Sequence, residues 1–217
     1  MLKSKKHVFW EAAVITVVIF LAGLLFGMLV ETSNSSKVSQ LYIKSEISLT
    51  DAMATATLTE GFDFDCKIIK KSNIDFANRV YEEAITLEEY EDAGLLTENL
   101  MFLHKKYDLL RTLIWTSNQN SFDRCDNYDL LIYLYEVETE DTVKQATQNV
   151  WSKILYDVKI NHKDDILLLP IAADQNLTSL DLLISQYDVK EFPALIINND
   201  NVLYEIDSVS GVESLLN

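Results

Sequence analysis

The feature that most constrains this chain is a run of nineteen uncharged, mostly apolar residues at positions 12–30, AAVITVVIFLAGLLFGMLV. As a helix rising about 1.5 Å per residue, it spans roughly the hydrocarbon core of a bilayer. Val8, Phe9 and Trp10 extend it on the N-terminal side, where Trp10 suits the headgroup region and Glu11 can reach water from the helix end. A cleaved signal peptide has a shorter apolar region and a small-x-small cleavage site, and Phe26-Gly27-Met28-Leu29-Val30 offers none. Residues 8–30 therefore read as a retained transmembrane signal anchor. Lys3, Lys5 and Lys6 lie on one flank, with Glu31 and the neutral Thr32-Ser33-Asn34-Ser35-Ser36 on the other. This asymmetry predicts a cytoplasmic tail at 1–7 and an extracytoplasmic remainder, a single-pass topology in the cell membrane. Gly23 and Gly27 have the G-x-x-x-G spacing that lets two helices approach as a homodimer, although glycines facing lipid are also common in membrane helices.

From residue 12 onward the chain carries 15 basic against 33 acidic residues, a net charge of −18. Such a surface repels phosphate backbones and anionic headgroups, so a nucleic-acid partner is not expected. Cations and basic partners would be attracted, while acidity also serves solubility alone. With 5 Gly and 2 Pro in 217 residues, long flexible linkers are excluded.

Residues 31–37 are polar and read as a short tether, followed by a helical segment at 38–126. Within it, Ile74, Ala77, Tyr81, Ala84 and Leu87 recur at spacings of three and four, which predicts an amphipathic helix over 73–93. Leu96, Leu100, Leu103, Tyr107, Leu110 and Ile114 form a cleaner stripe over 95–117. Two such helices joined near Gly94 suit a hairpin, with a coiled-coil partner as the other use of the stripe. His104 has no second ligand at metal spacing and reads as a partly exposed helix residue, and Glu88-Glu89-Tyr90-Glu91-Asp92 reads as a solvated face. No phosphate loop, dinucleotide fingerprint, nucleophile elbow or paired-His motif occurs, so neither a cofactor nor a metal is expected.

Element types then alternate. The run from Leu130 to Tyr135 fits a buried strand, and a helix over 141–160 follows with Asp141 as its cap. Ile166 to Ala172 reads as a second strand, and Leu180, Leu183, Ile184 and Tyr187 mark a second helix. Ala194 to Ile197 and Val202 to Ile206 flank Asn198-Asn199-Asp200-Asn201, which predicts a hairpin, and a closing helix is expected over 209–216. Two strands separated by a helix imply a right-handed parallel crossover.

This βαβαββα order over 127–217, in an α/β chain, resembles the thioredoxin fold. The resemblance sharpens at Tyr187-Asp188-Val189-Lys190-Glu191-Phe192-Pro193-Ala194-Leu195, which is similar to that family's passage into its third strand, and at Asp174-Gln175-Asn176. It implies a cis-proline at Pro193, with Phe192, Pro193 and Ala194 forming a peptide-docking groove. Thioredoxin-like enzymes carry Cys-x-x-Cys between the first strand and helix, where this chain has Glu136-Val137-Glu138-Thr139-Glu140-Asp141. Carboxylates there would disfavour a thiolate, so the family's oxidoreductase activity does not carry over.

Cys66 and Cys125 are the only cysteines. On an oxidising side of the membrane an even count suggests a disulfide, closing a loop of 59 residues and stabilising by roughly 4 kcal/mol in the chain-entropy model. Two free thiols and a redox-active pair remain open. The expectation is a non-enzymatic module binding or scaffolding a protein or peptide partner, with no catalytic residues. The alternative is a membrane-tethered thiol-disulfide oxidoreductase or redox sensor using Cys66 and Cys125. Asn34 and Asn176 head glycosylation sequons on the expected outer side.

Overall fold

The computed structural model describes residues 5–92, 98–122, 125 and 128–216, with backbone alone at 5–8, 31, 33–38, 60, 88–92, 98–100 and 120–122. The first helix, α1, runs Lys5–Gly61 without interruption. The stretch 31–37 expected as a tether is therefore helical. No Gly or Pro falls between Gly27 and Gly61, and Thr32 turns its hydroxyl back onto the Met28 carbonyl at 2.7 Å, so this side chain is satisfied within the helix. The chain divides into two compact units, Met1–Lys44 and Ser45–Asn217. The segments expected at 38–126 and 127–217 thus fall for the most part in one unit.

In the first unit, Phe9–Val30 is long and apolar enough to cross a membrane, and none of its most apolar stretch is buried within the protein. A Cβ added at Gly23 or Gly27 would meet nothing within 4 Å.

The second unit begins with the last four to five turns of α1, whose Ser45 and Ala52 are buried. Helix α2 (Cys66–Asp92) and helix α3 (Glu98–Phe122) follow, and they pack against each other as the stripes predict. Gly94 lies outside the described residues. The start of α2 at Cys66 is marked by Asp65, whose carboxylate accepts from the Lys67 backbone at 2.8 Å. Helix α3 is buried on more than the stripe: Leu103, Tyr107 and Leu110 are joined by Asp108, Thr112, Trp115 and Asn118. It needs both faces because it packs on α2, on the second strand and on a later helix.

Strand β1 (Asp129–Tyr135), helix α4 (Thr142–His162), strand β2 (Ile166–Ala172), helix α5 (Thr178–Gln186), strands β3 (Ala194–Ile197) and β4 (Asn201–Leu203), and helix α6 (Val209–Glu213) complete the unit. The sheet order is β2-β1-β3-β4, with β1 parallel to β2 and antiparallel to β3, and β3 antiparallel to β4. Central β1 is buried along nearly its whole length, as expected for a strand covered on both faces. Alternate residues Leu131 and Tyr133 join Trp151, Leu155 and Val158 of α4 and Val212 of α6 in one core cluster.

Local chemistry sets the connections. Asp141 caps α4 by accepting from Val143 and Lys144 backbone N–H groups. Asn198 and Asn199 sit at φ 52° and 58°, and Asp200 N bonds Ile197 O at 3.1 Å, the backbone of a type I′ hairpin turn. The last strand is shorter than the expected 202–206. Its pairing ends where Leu203 lies opposite Leu195.

Candidate functional site

The passage resembling the thioredoxin family is placed by α5 and α3. Tyr187, at the end of α5, lies 5.3 Å centroid to centroid from Trp115 of α3 and accepts a hydrogen bond from Gln119 at 3.0 Å. Asp188 turns the chain at φ 52°, and Val189 N returns to Ile184 O at 3.0 Å, closing the helix. The Phe192–Pro193 peptide bond is cis. Pro193 and Ala194 are buried and Phe192 is half-buried, and the cleft between α4 and the α2–α3 pair does not include them.

At the C-terminal end of β1, residues 136–141 form a connection closed by its own polar groups. Gln148 of α4 reaches back twice: its Oε1 accepts from Glu136 N and its Nε2 donates to Glu136 O, both at 2.9 Å. The Glu136 carboxylate accepts from Lys144 Nζ at 2.7 Å, and this bond raises the lysine pKa. Asp174 accepts from Glu138 N at 2.7 Å with one oxygen, while its other oxygen is buried without a hydrogen-bond partner. The loop presents carboxylates and backbone, and no thiol.

The two cysteines lie at the other end of the strand. Cys66, the first residue of α2, is bonded to Cys125, which precedes β1, with a Cα–Cα distance of 5.3 Å. Seven extended residues separate Cys125's end of β1 from residues 136–141, about 20 Å along the strand. A buried polar cluster accompanies the disulfide. Asn118 of α3 accepts from both Tyr128 Oη and Asn73 Nδ2, and Asn73 Nδ2 also lies 3.2 Å from Tyr128 Oη. The same end of the sheet is tied again where Asn198 accepts from Leu130 N at 2.8 Å and Trp115 Nε1 donates to Asn199 at 3.0 Å.

A cleft of about 670 Å³ opens on the α4 side of β2, within the second unit. Its floor is Tyr133, Tyr135, Leu168 and Pro170 of the sheet, one wall is Ser152, Leu155 and Tyr156 of α4, and the opposite wall comes from α2 and α3. On that wall Arg111 donates to Asp108 at 3.1 Å, and Asp108 also accepts from Ala172 N at 3.2 Å. Burial pushes the Asp108 carboxyl above its usual range, opposed by Arg111 and by the Ala172 bond. Half-buried His104 lies one turn before Asp108 and also lines the cleft. Burial likewise pushes Tyr133 up to about 12.

Sequence reasoning did not find this cleft. Its signal was a second stripe on α3, His104, Asp108 and Arg111 at spacings of four and three, beside the stripe of leucines. Of the sequons, Asn176 is exposed between β2 and α5 at φ 51°, while the Asn34 side chain and the carboxylates of 88–92 lie outside the described residues. Among the described residues, no three His, Cys, Asp or Glu side chains gather as a metal site.

No protein-family model and no curated protein matches this chain. Among solved structures, the chain is similar to thioredoxin O2 from Arabidopsis thaliana in its oxidized state, at 14% identity over 44% of this chain and 77% of that one, with a TM-score of 0.31.

Proposed function

We propose that this is a membrane-anchored, thioredoxin-like binding or scaffolding module that performs no thiol exchange. The observation that carries the reading is the separation of its thiols from the place where such chemistry would occur: the connection after β1 is built of Glu136, Glu138 and Asp141, and both cysteines are joined at the far end of the strand. A carboxylate-rich loop would hold any nearby thiol protonated rather than activate it. The parallel β1–β2 crossover and the antiparallel placement of β3 between β1 and β4 support the thioredoxin-like assignment of 127–217. Lys3, Lys5 and Lys6 before the apolar helix support a cytoplasmic N-terminus and an extracytoplasmic C-terminal unit in the cell membrane. Gly23 and Gly27, open on one helix face, support pairing of two copies through the anchor.

Mass-tagged maleimide labelling of Cys66 and Cys125 in isolated membranes tests the proposal. Thiols that appear only with strong reductant and denaturant are the expected result. A pair that opens under mild reductant in the folded protein and closes again with oxidant would replace it by a membrane-tethered oxidoreductase or redox sensor.

A further inference from the structure

The cleft on the α4 side of β2 has the size and lining of a ligand site, since such sites run roughly 300–1,000 Å³ and combine apolar walls with a few polar groups. Four tyrosine rings line it in two stacked pairs. Tyr81 of α2 and Tyr156 of α4 meet at 6.5 Å between centroids, and Tyr133 and Tyr135 of β1 at 5.4 Å. Tyr81 and Tyr156 are 41% and 46% exposed, and Met101 and Val137 nearby are 60% and 56% exposed. Large apolar groups exposed together around a concavity mark a place where something binds.

Electrostatics select the occupant. Arg111 is bonded to Asp108, so this pair adds no net charge to the wall. Glu138 stands at the lip, next to Asp174 with its buried, unpartnered oxygen. The unit around the cleft, Ser45–Asn217, carries 13 basic against 32 acidic residues, a net of −19. Tyrosine rings attract cations through their negative faces, by an interaction that strengthens as water is excluded. Lysine and arginine also bring an aliphatic stem that packs on apolar walls while the charge seeks an acidic lip.

We infer that this cleft takes a lysine or arginine side chain from a basic segment of a partner protein. This rests on the binding-module proposal and names its site and the chemistry of its partner. The site lies on the β2 edge of the sheet, apart from the Phe192–Pro193–Ala194 surface expected from the sequence.

The experiment titrates the full chain, in an uncharged detergent with its disulfide intact, with a short peptide of alternating lysine and leucine. Controls are the same peptide with glutamate, or with serine, in place of lysine. The lysine peptide should bind and the other two should not. Tyr81→Leu and Tyr156→Leu, which keep apolar bulk at exposed positions, should each weaken binding about threefold. Glu138→Gln should weaken it about threefold at low salt, with the difference vanishing at high salt. Failure of the lysine peptide to bind, equal binding of the serine peptide, or binding untouched by all three substitutions would overturn the inference, the last by assigning attraction to the acidic surface as a whole. Mass-tagging the same sample keeps the two proposals separable. A disulfide that cycles under mild reductant defeats the binding-module reading, while an intact one with no peptide bound defeats only the cleft.

Discussion

Two helical surfaces of this protein carry large apolar side chains that meet opposite fates. Along Phe9–Val30 they point in every direction and stay exposed, with Phe20 and Leu25 more than 60% accessible. On α3 they fall at spacings of three and four, and Leu103, Tyr107, Leu110 and Trp115 are essentially inaccessible. A stripe can be covered by neighbouring elements, whereas a helix apolar all round needs a surrounding that is apolar all round. Periodicity, added to overall hydrophobicity, therefore distinguishes the segment that builds a core from the one long and apolar enough to cross a membrane.

The largest expected effect tests the core side of this contrast. Trp115→Ala removes a fully buried indole and its bond to Asn199, and should destabilise the folded unit by about 3–5 kcal/mol in chemical unfolding. Phe20→Ala, an equally drastic truncation in the apolar helix, should leave that unfolding transition in place; a matching loss would break the contrast. Next, Phe20→Arg should cost the apolar helix about 3 kcal/mol of membrane insertion, read by carbonate extraction, with the thermal unfolding of the C-terminal unit unchanged. A smaller effect is expected at a helix end. Asp141→Ala deprives Val143 and Lys144 of their cap and should cost about 1 kcal/mol, with Asp141→Asn recovering most of it.

The smallest effect, at Tyr133, is absent at neutral pH. Tyr133 is buried with its hydroxyl donating to Gln148 O at 2.9 Å, and its pKa is raised from 10.0 to about 12. The unfolded chain therefore loses this proton first. Stability from Tyr133 is complete below pH 10 and is lost as pH rises from 10 through about 12, with buried Tyr107 and Tyr128 shifted in the same direction. Phenolate absorbance should rise together with unfolding, and Tyr133→Phe should make the alkaline loss shallower. A normal, reversible titration of all ten tyrosines in the folded protein would contradict the burial described for β1.

Much of this was legible in the residues. The apolar run, the unbroken Leu130–Tyr135 stretch, the Asp141 cap and the paired asparagines each express a local rule, and each appears where that rule puts it. The polar residues 31–37, read as a tether, lie within α1, since threonine suits a connection and also folds back on a helix carbonyl as Thr32 does. Strand β4 ends at Leu203, short of the apolar run that continues through Ile206. The cleft was illegible for a different reason. Tyr81, Tyr156 and Tyr133 come from three elements, and their convergence depends on how the hairpin of α2 and α3 meets β2.

The Cys66–Cys125 bond also changes what cleavage does to this molecule. It turns residues 66–125 into a covalent ring that holds the whole of α2 and α3. A protease that cuts once between those helices opens the ring without freeing a fragment, so the severed chain keeps its full mass until a reductant is added. Shedding of the α/β part from the apolar helix instead requires a cut before Cys66 or after Cys125.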